Sequence, residues 1–347
     1  MRIAIVTDAW HPQVNGVVRT LTSVMGELLK VGHSVQVIAP DQFRTIPAPS
    51  YPEIRLALAG NRTVGARLSR FVPDSIHIAT EGPLGWAARR WCLREGLPFT
   101  TAYHTQFPDY LARRTHLPSN LFWPAIRHFH APAQRVMVAT ETVREKLRAH
   151  GLTQLHHWSR GVDTGTFHPD HAPQDALLGL QRPIQLYVGR VAVEKNIEAF
   201  LDNTHEGSKV VVGDGPALEK LQEAYPDAHF LGRKSGADLA ACYAAADVFV
   251  FPSRTDTFGL VMIEALASGT PVAAFPVTGP RDVLSPGSGA MAERLEDAIA
   301  EALTFDRAVC LAAGRAYSWQ ASAAQFLDGL EPIAALSRVL PGMPAAA

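Results

Sequence analysis

The stretch Val248-Phe249-Val250-Phe251-Pro252-Ser253-Arg254-Thr255-Asp256-Thr257-Phe258-Gly259-Leu260-Val261-Met262-Ile263-Glu264-Ala265-Leu266-Ala267-Ser268-Gly269-Thr270-Pro271-Val272-Ala273-Ala274-Phe275 contains one complete unit of architecture. Val248–Phe251 is a short run of β-branched and aromatic residues, the mark of a buried strand. Ser253–Thr257 is a polar loop. Phe258–Ala267 is helical, Gly269 and Pro271 end it, and Val272–Phe275 is a second strand. Strand, loop, helix and strand in this order build a parallel α/β sheet.

The same alternation extends in both directions. Downstream of a polar stretch with two prolines, Phe167–Pro173, the strands are Ile184–Val188, Lys209–Val212 and Phe230-Leu231, with helices at Ile197–Leu201 and Leu239–Ala245. Upstream, residues 3–8 form a strand, Ala9–Asn15 a loop and Gly16–Leu29 a helix. Further strands fit Val35–Ile38, Ser75–Ile78, Phe99–Ala102 and Val136–Ala139. The chain is α/β, with two doubly wound halves of similar size, and such sheets bind ligands beyond the carboxyl ends of their strands.

Composition narrows the possibilities. The 347 residues are 47% hydrophobic and 19% charged, which excludes a wholly disordered chain. No apolar run reaches the roughly 18 residues of a membrane span. The N-terminal Arg2–Val6 reads as a strand and not as an export signal, and Cys92, Cys242 and Cys310 have neither CxxC nor zinc spacing. Both features point to a cytoplasmic protein with reduced thiols. The net charge of −1 hides an asymmetry: residues 1–170 carry 19 Lys+Arg against 12 Asp+Glu, and the remainder 13 against 21. A basic part of this kind suits anionic lipid or an anionic small substrate. The acidic second part argues against nucleic acid as a partner.

Several loops carry residues suited to a phosphorylated ligand. Asn15-Gly16 opens a helix, where glycine allows close backbone approach and the first N–H groups favour an anion. In Gly189-Arg190-Val191-Ala192-Val193-Glu194-Lys195 two cations follow a strand, as a departing pyrophosphate requires. Gly213-Asp214-Gly215-Pro216 is a tight turn at another strand end, placed to border a nucleobase. Phe258, Gly259 and Leu260 offer backbone N–H groups at a helix entry. Asp256 and Glu264, eight positions apart, put one carboxylate in the loop and one about two turns along the helix. Glu264 lies in an apolar stretch, where an unpaired carboxylate is costly and a ribose diol would satisfy it.

These motifs resemble the retaining glycosyltransferases of sequence family 4, whose mark is two acidic residues separated by seven in a stretch like Phe258-Gly259-Leu260…Glu264-Ala265…Gly269-Thr270-Pro271-Val272. One departure is that Asp256 stands where Glu is usual. The resemblance covers nearly the whole chain and implies a GT-B fold, with two Rossmann-like domains facing across a cleft. It implies an acceptor-side domain over 1–165, a linker over 166–182, a nucleotide-sugar domain over 183–318, and a helix over 319–335 that crosses back, entered at Ser318-Trp319. It gives Arg190 and Lys195 to the donor diphosphate, Glu264 to the ribose, and Asp256 to the transferred sugar. Gly213 and Asp214 border the base, Gly16 lets phosphate and acceptor approach, and His104 hydrogen-bonds the sugar or holds the reacting pair. Asn15, Tyr103 and Arg160 are expected on the acceptor or sugar side. A nucleotide sugar is the co-substrate. With no Asp-x-Asp in the chain, no metal is expected, and Arg190 and Lys195 would take its place.

A narrower likeness concerns the acceptor. Tyr103-His104-Thr105 and Trp158-Ser159-Arg160-Gly161-Val162-Asp163…Phe167-His168-Pro169 resemble the diacylglycerol glycosyltransferases related to sulfoquinovosyl transferase, and similar stretches occur in mannosyltransferases. Asn61–Phe71 and Arg113-Arg114…Leu121-Phe122-Trp123…Arg127 place arginines among apolar residues, a pattern suited to anionic lipid. The expectation is transfer from UDP-glucose or UDP-glucuronate to a membrane lipid such as diacylglycerol, on the inner face of the cytoplasmic membrane. An acidic donor sugar would be met by Arg160 or Arg254. The alternatives are a GDP-mannose-dependent mannosyltransferase acting on a lipid-linked or polysaccharide acceptor, and a non-catalytic nucleotide-sugar-binding protein. The tail Met343–Ala347 is expected to be disordered.

Overall fold

The computed structural model describes residues 1–13, 15–48, 51–115 and 117–334, and the side chains of these except 51–53, 110, 111, 113 and 114. The tail Met343–Ala347, Val14 of the first loop and the side chains of Arg113 and Arg114 lie outside the described residues. The chain divides into two units. One takes in Met1–Ser159 together with the chain from Trp319 onward, and the other is Arg160–Ser318.

In chain order the strands of the first unit are β1 (Arg2–Val6), β2 (Ser34–Ile38), β3 (Thr45–Ala48), β4 (Tyr51–Ala57), β5 (Ser75–Ile78), β6 (Thr100–Ala102), β7 (Arg135–Val138) and β8 (Leu155–His157). Six of them form one parallel sheet in the order β2-β1-β5-β6-β7-β8. Ile3, Ala4, Ile5 and Val6 are all fully buried, as a central parallel strand covered on both faces requires. The helix Gly16–Lys30 covers the sheet with Val18, Leu21, Val24 and Leu28, spaced three and four apart.

The antiparallel ribbon β3–β4 was not legible in the sequence. Pro47 interrupts its alternation, and its register shifts between Pro47 and Ala48. The edge strand β8 was also missed, because three residues give no periodicity.

The helix Trp319–Gly329 belongs to the first unit and is pinned there by polar contacts. Trp158, fully buried, donates from Nε1 to Ser322 Oγ at 3.2 Å. Ser322 Oγ in turn donates to the Ser159 carbonyl at 2.8 Å, and the Ser159 amide donates to Gln325 Oε1 at 2.7 Å. His77 packs edge-on against both Trp158 and Phe326, with Nδ1 2.9 Å from Thr100 Oγ1. Burial pushes its imidazole down to about 3, so it is neutral at physiological pH. His77 therefore serves packing and adds no positive charge.

The second unit contains β9 (Ile184–Val188), β10 (Ser208–Val212), β11 (His229–Phe230), β12 (Val248–Phe251), β13 (Val272–Ala274) and β14 (Gly289–Met291). They form a second parallel sheet in the order β11-β10-β9-β12-β13-β14. The helix expected over Phe258–Ala267 begins at Leu260, because Gly259 sits at φ 85°, outside helical space. The stretch read as a linker packs within this unit. Phe167 is buried edge-on against Tyr243, Leu177 is buried, and Gln174 Nε2 donates to the Asp238 carbonyl at 2.8 Å.

Candidate active site

In the second unit, the loops after β9, β10, β12 and β13 are held together by close backbone approaches at glycines and by one asparagine side chain. The Gly189 amide donates to the Val212 carbonyl at 3.0 Å, Val191 to Asp214 at 2.9 Å, and Ala217 back to Val191 at 3.0 Å. A Cβ on Gly213 would lie 1.8 Å from the Gly189 oxygen, and one on Gly215 would lie 2.3 Å from the Val191 oxygen. The two turns therefore share one wall. Asn196, in the left-handed region at φ 55°, closes the β9 loop and donates from Nδ2 to the Pro252 carbonyl at 3.0 Å. That bond ties the loop to the end of β12. Gly279, at φ 93°, brings the loop after β13 against the Asp256 and Phe258 carbonyls, where a Cβ would lie 3.3 and 3.2 Å away.

This scaffold brings Lys195 and Asp256 together across 61 residues of sequence. Lys195 Nζ donates to both carboxylate oxygens, at 2.6 and 2.9 Å. About a quarter of each side chain is exposed. Burial alone would raise the Asp256 carboxyl, but the ammonium of Lys195 outweighs it, and the group ends below its ordinary value. Arg190 lies in the same loop, with its carbonyl accepting from the Tyr187 hydroxyl at 2.9 Å. Phe258 is buried edge-on against Tyr317, and no side chain caps the helix that starts at Leu260. Arg254 lies over the face of Phe275, 3.7 Å from the ring centroid.

Glu264 is buried, at 3% exposure, on the helix Leu260–Ala267. The sequence reading left its carboxylate to a sugar diol. The protein itself supplies one partner, because the Tyr243 hydroxyl donates to Glu264 Oε2 at 3.1 Å. Tyr243 was missed, since a tyrosine 21 positions upstream carries no local signal of that pairing. Tyr243→Phe removes a hydrogen bond to a charged group and should destabilise the chain by about 1.5–3 kcal/mol, read by thermal denaturation.

In the first unit Asn15 and Tyr103 are both engaged within the chain. Asn15 was expected on the acceptor or sugar side, and its side-chain oxygen has partners within the chain. That oxygen caps the helix Gly16–Lys30, accepting from the Val17 and Val18 amides at 3.0 Å each. Those two N–H groups are thereby spent within the chain, and the anion-binding potential read into this helix start is reduced. Tyr103 is a core residue, 1% exposed and stacked on Trp123. His104 follows β6 and packs edge-on against Trp158, at 5.4 Å between ring centroids. Arg160 is the first residue of the second unit. It is buried, and burial pulls its guanidinium down to about 9.

Asp8, at the end of β1, is fully engaged. Oδ1 accepts from the Leu84 amide at 2.8 Å, and Oδ2 accepts from the Gly85 amide at 3.2 Å and from Thr80 Oγ1 at 2.9 Å. Of two surface depressions, of about 470 and 520 Å³, neither is lined by a residue expected at the donor, and the second is lined in part by Trp123 and Arg127 of the segment whose pattern suits anionic lipid. Among the described residues no cluster of His, Cys, Asp and Glu could hold a metal ion, and no helix is long and apolar enough to cross a membrane.

Comparison with known proteins places this geometry in a family. Residues 14–166 match the family model described as Glycosyltransferase Family 4, and residues 182–305 match that described as Glycosyl transferases group 1. The chain is 32% identical to a GDP-mannose-dependent alpha-mannosyltransferase of Mycobacterium tuberculosis (strain CDC 1551 / Oshkosh), over 96% of this chain and 97% of that one. It is 31% identical to the alpha-monoglucosyldiacylglycerol synthase of Streptococcus pneumoniae (strain ATCC BAA-255 / R6), over 79% and 71%. Its fold superposes on sucrose-phosphate synthase from Thermosynechococcus elongatus with a TM-score of 0.75 at 23% identity, covering 94% and 97% of the two chains. The chain belongs to glycosyltransferase family 4, and is a nucleotide-sugar-dependent glycosyltransferase with the two-domain GT-B fold.

Proposed function

We propose that this enzyme transfers a hexosyl unit, with retention, from a nucleoside diphosphate sugar to a hydroxyl of a membrane lipid, working at the inner face of the cytoplasmic membrane. The observation that carries the donor half is the Lys195–Asp256 pair, held at the carboxyl end of the second sheet beside Arg190 and the uncapped start of the helix Leu260–Ala267. As the glycosidic bond breaks, negative charge grows on the diphosphate. Lys195, Arg190 and the amides near Phe258, Gly259 and Leu260 stabilise it without reorganisation.

Asp256 is then positioned for the hydroxyls of the departing sugar, and Glu264, steadied by Tyr243, for the ribose. Gly213 and Asp214 form the border of the base, and Gly16 allows close approach at the first helix. His104 donates to the sugar. The acceptor attacks from the face the diphosphate leaves, and the leaving phosphate takes its proton.

For the donor, two readings rest on separate observations. GDP-mannose is favoured by the mycobacterial relative, which matches over nearly its full length and is named for that donor. A UDP-sugar, UDP-glucose or UDP-glucuronate, with diacylglycerol as acceptor, is supported by the pneumococcal relative, whose name specifies a glucosyldiacylglycerol product. Incubating the chain with labelled GDP-mannose, UDP-glucose and UDP-glucuronate, and with liposomes containing diacylglycerol, separates them. Label entering the organic phase from one donor identifies it. Label remaining in water with every donor discards diacylglycerol as the acceptor.

A further inference from the structure

The carboxyl end of the first sheet carries two acidic side chains that the fold treats differently. Asp8 receives three donors and is saturated by the protein. Glu81, three residues beyond β5, receives one: His130 Nε2 lies 3.1 Å from Glu81 Oε1. His130 is fully buried, and its Nδ1 lies 2.8 Å from Thr101 Oγ1.

The partners fix one proton. A carboxylate oxygen accepts, so Nε2 is the ring nitrogen that donates to Glu81, and Nδ1 faces the Thr101 hydroxyl. The chain Thr101–His130–Glu81 therefore orients one carboxylate oxygen. The second oxygen of Glu81 has no hydrogen-bond partner among the described residues. The side chain keeps 7% exposure, so this edge of the carboxylate reaches the surface while the rest is enclosed. A nearly buried carboxylate with a single protein partner is costly unless something else completes its shell. The end of a parallel strand is where that something binds.

We propose that Glu81 is an acceptor-binding residue, whose outward carboxylate oxygen accepts a hydrogen bond from a hydroxyl of the acceptor, with His130 and Thr101 as its positioning residues. The inference rests on the glycosyl transfer proposed above and adds to it the group that orients the acceptor.

The test compares the parent with Glu81→Gln and Glu81→Asp, using whichever acceptor the parent glycosylates from a panel of diacylglycerol liposomes, phosphatidylinositol liposomes, glycerol and mannose. Glu81→Gln should raise the acceptor KM on the order of 10-fold or more. The change in kcat should stay within about threefold, and calorimetric binding of UDP and GDP and the thermal midpoint should match the parent. Glu81→Asp should recover part of the KM. An unchanged acceptor KM overturns the proposal, and so does a fall in nucleotide affinity or thermal midpoint parallel to the loss of activity. Transfer to glycerol or mannose but to neither lipid would refute the lipid acceptor, while the Glu81 comparison would proceed on the sugar or polyol.

Discussion

Lys195→Ala should lower kcat/KM for the nucleotide sugar by about 10²–10³-fold, the usual loss when one preorganised group facing developing charge is removed. The reason is geometric. Lys195 is not a surface lysine free to be replaced by a neighbour, because both oxygens of Asp256 hold its ammonium at the end of β9's loop. Its loss also strands Asp256. With the ammonium gone, burial governs that carboxyl and its pKa moves up.

The pair's contribution to stability has a defined sign. The folded-state value is depressed, so the stabilisation is present above the unfolded-state value of about 3.9 and disappears as pH falls through the lower, folded one. In Lys195→Ala burial raises the carboxyl instead and the sign reverses: protonation of Asp256 as pH falls relieves a buried charge, so the acid loss at this site disappears. Because the pair is about a quarter exposed, water screens it, and the stability cost at neutral pH should stay near 1 kcal/mol. Steady-state kinetics beside a thermal melt measures both. A stability loss large enough to account for the activity loss would remove Lys195 from the donor site.

Gly213→Ala should be the most damaging conservative change in the second unit, costing about 3–5 kcal/mol and lowering its thermal midpoint by about 6–20 °C. A methyl group there would meet the Gly189 carbonyl oxygen at 1.8 Å, and no rotamer change relieves a clash with backbone. The β9 and β10 turns must separate, breaking the bonds from Gly189 to Val212 and from Val191 to Asp214. Since Arg190 and Lys195 ride on the displaced loop, the donor KM should rise as well. A melting curve equal to the parent's would show that the two turns do not share the wall described above.

Much of this architecture was written in local patterns. The buried strands Ile184–Val188 and Val248–Phe251 and the helix beginning at Gly16 follow from runs and periods of apolar residues, which a parallel sheet buried on both faces enforces. Where such patterns are absent, the reading failed. The ribbon β3–β4 contains proline, and β8 has only three residues. Asn15 showed the limit from the other side: its residue type suits a cap and a ligand equally, and only the structure shows the two helix amides 3.0 Å away that it caps.

The sequence by itself determined the alternation of strands and helices, the glycines at strand ends, and the spacing of Asp256 and Glu264, because each depends on neighbours within a few turns of chain. Tertiary structure alone decided which side chains share a charge or a proton. The contacts of Lys195 with Asp256, Tyr243 with Glu264, and His130 with Glu81 span 61, 21 and 49 residues. Such pairings arise from the order in which strands assemble into a sheet, and no local period encodes that order.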